Sequence, residues 1–192
     1  GFTMPLIANA APIHQLWDSG DRGRLFPGIT IDNLVHAGIN LAQAIDELHR
    51  SNCVVGDINE NGILVQKDGL VALIDCDSFQ FTQPGRVHPC VVYTQLYQPP
   101  ENQGKNARDL TNRTANQDNF GLAIMIFRLL MNAFQPFTGR YLAPGDLPKA
   151  SEWIRDHLYV FGQDAPQKRI GPSPSAPDIA WLNDELRAAF ER

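Results

Sequence analysis

Basic charge, paired cysteines and long apolar runs are all scarce in this 192-residue sequence. Its 16 Lys and Arg stand against 21 Asp and Glu, a net charge of -5, and apart from Lys168-Arg169 the cations are scattered. That distribution leaves no broad basic face for nucleic acid or an anionic membrane. The three cysteines, Cys53, Cys76 and Cys90, form no Cys-x-x-Cys pair, and their odd number argues against a disulfide framework. They are expected as small, buried apolar side chains in a reducing, cytoplasmic setting. The longest apolar stretch, Phe120 to Phe127, falls far short of the roughly 20 residues a membrane span needs. No charged start followed by an apolar run marks a signal peptide at Gly1 to Pro5.

What remains is ordinary globular composition, 43% hydrophobic and 19% charged, in a length that suits one domain. Gly1 to Ile7 reads as a strand end running into a turn at Pro5, and its start looks cut from something longer. Ala8 to Gly28 reads as a short helix and a loop. Thr30 can cap a helix carrying Ile31, Leu34, Val35, Leu41, Ala42, Ile45 and Leu48, ending near His49-Arg50, where cations suit its negative end. Short apolar runs follow at Cys53 to Val55, Gly62 to Val65 and Leu70 to Ile74. Asp68-Gly69 between the last two signals a hairpin, since glycine accepts positive φ.

Gln80 to Asn112 is polar and reads as loop. Asp118 to Met131 is apolar on nearly every face, which predicts a helix at the centre of the core, ended by Gln135-Pro136-Phe137. Gly162 to Pro177, rich in Pro, Ser and Gly, reads as an exposed connection. A last amphipathic helix carries Ile179, Leu182, Leu186 and Phe190. No internal repeat is present. The fold class expected is α+β, mainly helical, with short β-hairpins.

Two carboxylates stand out. Asp57 follows Val54-Val55-Gly56, and Asp75 follows Leu73-Ile74; each ends an apolar strand, and the intervening hairpin would return them to one edge. Phosphoryl transfer needs one carboxylate to hold magnesium against phosphates and another to orient the attacking hydroxyl. Solvated acids in surface turns would show the same residues.

The motifs resemble, in order, the C-terminal lobe of protein kinases from hinge to late helices, over essentially residues 1–192. Gly56-Asp57-Ile58-Asn59 looks like a catalytic loop and Asp75-Cys76-Asp77 like the Asp-Phe-Gly metal motif. Tyr97-Gln98-Pro99-Pro100-Glu101, with Thr94 before it, looks like the end of an activation segment. Asp118 to Ala123 looks like the start of the central helix. Together with Pro136-Phe137-Thr138-Gly139-Arg140 they are most similar to a bacterial kinase-like family, some members of which are associated with tellurite-resistance systems.

The resemblance implies an ATP- and Mg2+-dependent phosphotransferase acting on Ser or Thr hydroxyls of protein substrates, with an N-terminal lobe lying upstream and missing from this piece. It implies Asp57 as the catalytic residue, Asp75 and Asp77 at the metal, and Asp75, Asn61, Leu64 and Met4 at the nucleotide. A lone C-terminal lobe would be nearly inert. Departures point elsewhere. Gly62 stands where kinases place an asparagine ligand, with Asn61 as a substitute. Gly56 replaces the arginine before the catalytic aspartate, so control by a phosphate bonded there is not expected, and Asn59 replaces a lysine. A pseudokinase scaffold and a small-molecule phosphotransferase of the aminoglycoside type are the alternatives. His49 and His88 read as structural, and Arg113 as a solvated loop residue, the alternative being a partner of Glu101 or of an anion.

Overall fold

The computed structural model describes residues 6–110 and 112–191. Its frame is two long helices, each started by a threonine. Helix α2 (Ile31–Arg50) follows Thr30, whose backbone N–H donates to Asn33 Oδ1 at 2.8 Å. Helix α3 (Ala115–Leu130) follows Thr114, whose N–H donates to Gln117 Oε1. Both are capping boxes, which satisfy end groups the helices leave without internal partners.

The two helices pack on each other. Leu34, Ala37, Leu41 and Ile45 of α2 face Ile124, Met125 and Phe127 of α3 in one core cluster. Small residues set the closeness, Gly38 lying against Ile126. The apolar face expected of α2 is therefore shifted. Ile31 and Val35 are 40% and 36% exposed, and Ala37 and Gly38 take the buried positions. Helix α3 begins three residues before Asp118, which sits in its first turn.

Strands β3 (Ile63–Gln66) and β4 (Val71–Leu73) form the hairpin read from Asp68-Gly69, with Gly69 at φ 84. Its third strand, β1 (Ala10–Pro12), lies where the sequence predicts a short helix and a loop; it pairs antiparallel at the sheet edge, where a terminal proline removes no needed donor. Ile13–Leu16 continues as a 3-10 turn and α1 spans Ser19–Leu25. A second sheet joins β2 (Cys53–Val54) to a hairpin of β5 (Gln80–Gln83) and β6 (Arg86–His88). That hairpin corrects the reading of 80–112 as loop throughout.

Residues 162–177 are likewise not all exposed. Strand β8 (Ile170–Gly171) pairs with β7 (Arg140–Tyr141), and Ala165 and Ile170 are buried with Trp153 of helix α4 (Ala150–Arg155). The last helix is broken: Ile179–Trp181 is a 3-10 turn, and Asn183 caps α5 (Asp184–Phe190). Among the described residues no helix is long and apolar enough to cross a membrane.

Candidate functional site

The β3–β4 pairing aligns Ile63 with Leu73, and Ile74 N–H donates to Gly62 carbonyl at 2.9 Å. Because antiparallel strands return the chain to its origin, the loop before β3 and the turn after β4 lie side by side. Between them is a cleft of about 240 Å³ lined in part by Asp57, Asn59, Gly62, Asp75 and Ser78. The two carboxylates that end separate strands in the sequence thus share one cleft. Oδ1 of Asp57 is buried and has no hydrogen-bond partner within the protein, a state that native structures rarely leave without a ligand or water. Asp75 is exposed and left-handed, at φ 59 and ψ 34. That conformation is uncommon for any residue but glycine, though aspartate tolerates it.

The loop carrying Asp57 is fixed from beneath. Asp118, 2% exposed, accepts from Val55 N–H at 2.7 Å and Gly56 N–H at 2.8 Å, and bonds His49 Nε2 at 2.9 Å. A helical carboxylate thereby holds two backbone donors immediately before Asp57. Gly56 is at φ 74, and a Cβ there would lie 2.7 Å from Cys90. Asn59 closes the other side, its Oδ1 accepting from Asn61 N–H and its amide reaching the Asp57 carbonyl. Farther out, the Tyr97 hydroxyl donates to Glu60 at 2.6 Å and accepts from Arg128, whose guanidinium lies 3.6 Å over the Trp17 ring. Burial pushes the Tyr97 hydroxyl pKa up, so it stays a donor.

The remaining predicted site residues are less convergent. Asn61 is exposed and outside the cleft lining, and so is Asp77, on a 3-10 turn at Cys76–Ser78. Leu64 is half-buried, on the strand face opposite Ile63 and Val65. Met4 lies outside the described residues. No group of three or more His, Cys, Asp or Glu among the described residues could hold a metal alone, so Asp75 would need phosphate oxygens to complete a magnesium shell.

Three expectations are corrected. Arg113 is 2% exposed rather than solvated. Cys76 is exposed and Cys53 only half-buried, leaving Cys90 as the buried thiol, its pKa pushed up by burial. In the sequence Asp118 marks only a helix start, and its bonds to Val55 and Gly56 N–H are not evident there. The one signal for its role is a carboxylate in the first turn of a helix that is apolar over most of its remaining length.

No protein-family model matches the sequence. Two relatives do: protein kinase YegI of Escherichia coli O157:H7, 34% identical, and of Escherichia coli strain K12, 33% identical, each aligned over this whole chain. The chain spans 30% of the length of those relatives. Among solved structures, a chain of the yeast RNA Pol II CTD kinase CTDK-1 complex superposes with a TM-score of 0.54 at 16% identity. The match covers 78% of this chain and 42% of that one, and at such identity it is a likeness of fold.

Proposed function

On a fold shared with protein kinases, we propose that this chain is the C-terminal lobe of an ATP-dependent protein phosphotransferase directed at Ser or Thr hydroxyls. The observation that carries the proposal is the buried, unpartnered Oδ1 of Asp57 in a cleft shared with Asp75. A carboxylate oxygen with no partner can accept the proton of an incoming hydroxyl and aim its oxygen at phosphorus. The exposed Asp75 carboxylate would hold a magnesium ion, which would supply charge neutralisation of the transferring group. Asp118 and His49 keep the Asp57 loop in place before substrate arrives, so little reorganisation accompanies the reaction. The phosphate-covering loop and nucleotide lysine of a complete kinase domain would come from a further lobe, and Asn61, Leu64, Asp77 and Met4 remain candidates for contact with nucleotide or metal there.

The test is labelled-phosphate transfer by the full-length protein to a protein acceptor and to an aminoglycoside, beside thermal melting with ATP and Mg2+. Incorporation into Ser or Thr of the protein acceptor, with metal-dependent stabilisation, is expected. Incorporation into the aminoglycoside alone would move the site to small-molecule chemistry.

One observation favours a second reading, a nucleotide-binding scaffold: Gly62 offers no metal ligand, and Asn61 does not line the cleft. The same glycine gives a discriminating variant. Apart from its chain neighbours, a Cβ at Gly62 would meet no atom nearer than 3.7 Å, and Gly62 is not in a positive-φ conformation, so Gly62→Asn adds its Cβ without a clash or backbone strain. Groups supporting a metal ligand are each worth about 10–100-fold in affinity, and an added direct ligand should lower the Mg2+ concentration for half-maximal stabilisation by at least about tenfold. No change in the magnesium titration would place the metal away from Gly62.

A further inference from the structure

Arg113 is a buried cation without an acidic partner within ion-pair distance among the described residues. Its guanidinium instead donates to three neutral acceptors on one segment: Cys90 carbonyl at 3.5 Å, Val92 carbonyl at 3.0 Å and Gln98 Oε1 at 2.9 Å. Gln98 in turn donates to the Gly56 carbonyl, the residue before Asp57. The backbone of Arg113 is itself pinned, its N–H to Gln80 Oε1 and its carbonyl to Gln80 Nε2, both at 2.8 Å. One side chain therefore ties the stretch 90–98 to the loop that carries Asp57. The empty space over Gly56 is what admits it: a Cβ at Gly56 would lie 3.3 Å from Arg113 Cγ and closer still to Cys90.

We propose that Arg113 is a positioning residue, an internal clamp that holds segment 90–98 in its substrate-accepting shape through backbone carbonyls and without any phosphate on the segment. The inference rests on Asp57 being the residue that orients the acceptor. A guanidinium has five N–H groups in a fixed planar fork, so it can serve several carbonyls at once, which a lysine ammonium of different reach and geometry does not reproduce. Where kinases bond a segment phosphate from the position of Gly56, this chain brings the side chain of Arg113 in beside Gly56 and bonds the backbone of the segment itself.

The test uses full-length protein, wild type and the variants Arg113→Gln and Arg113→Lys. Chymotrypsin cleavage after Tyr93 or Leu96, read by mass spectrometry, reports the segment's order independently of catalysis. Both variants should become cleavable there and lose about 100-fold in kcat/KM for the protein acceptor, the scale of a misplaced reacting group, with KM for Mg-ATP unchanged. Phosphatase-treated wild type should stay protected and keep its rate. Continued protection in Arg113→Lys and Arg113→Gln overturns the clamp, as does exposure of the segment on phosphatase treatment alone. Retained turnover in Asp57→Asn would instead remove the catalytic reading, while the cleavage pattern would still judge Arg113.

Discussion

Asp57→Asn in the full-length protein should lower phosphate transfer by roughly 10²–10⁴-fold, the range ascribed to a positioned proton acceptor, and should leave the melting midpoint where it was. The two halves of that expectation come from the same atoms. Oδ1 of Asp57 has no protein partner, so replacing the carboxylate by its isosteric amide breaks no bond seen in the structure. The contact that does involve residue 57 is from Asn59 Nδ2 to the backbone carbonyl, which the substitution leaves alone. The hydroxyl-accepting capacity, by contrast, is lost entirely, because an amide nitrogen donates and the remaining amide oxygen is a weak base. Single-turnover transfer with labelled ATP, beside circular-dichroism melting, measures both. A rate equal to wild type would take Asp57 out of the reaction.

The parts of this molecule that can be read from sequence are those whose cause is local. Thr30 before an apolar-periodic stretch, and Asp68-Gly69 between two β-branched runs, announce α2 and the β3–β4 hairpin because capping and positive φ are decided by neighbours in the chain. The hairpin then delivers Asp57 and Asp75 to one cleft, so that juxtaposition was legible too. The β5–β6 hairpin carried a comparable signal in Pro84-Gly85, with Gly85 at φ 77, but its strands are short and mostly exposed and lack an apolar alternation.

What could not be read are the long-range polar contacts. Arg113 meets Gln80 across 33 residues and Val92 across 21, and no spacing rule connects them. A loop arginine in sequence looks solvated because burial depends on what folds over it, here the segment that Gly56 lets approach. The exposure of Ile31 and Val35 has the same origin: which stripe of α2 is covered depends on where α3 packs, and Ile126 of α3 lies against Gly38.

Asp118→Ala should be the most destabilising change near the cleft. The Asp118 carboxylate accepts from two backbone N–H groups, Val55 and Gly56, on residues that are themselves buried, and from His49. Alanine leaves both donors without a partner, and each orphaned buried donor costs about 1–3 kcal/mol, so roughly 2–6 kcal/mol is expected. For a chain of this length that lowers the midpoint by at least about 4 °C. Transfer should fall as well below the new midpoint, because the strand end released is the one that aims Asp57. Asp118→Asn keeps one acceptor oxygen and should fall between wild type and alanine in stability. His49→Ala removes only the third, side-chain contact and should cost least. This order, alanine at 118 worst and alanine at 49 mildest, is specific to a carboxylate that acts through the backbone. If His49→Ala proved as damaging as Asp118→Ala, the His49–Asp118 pair and not the backbone of Val55 and Gly56 would be what holds the loop.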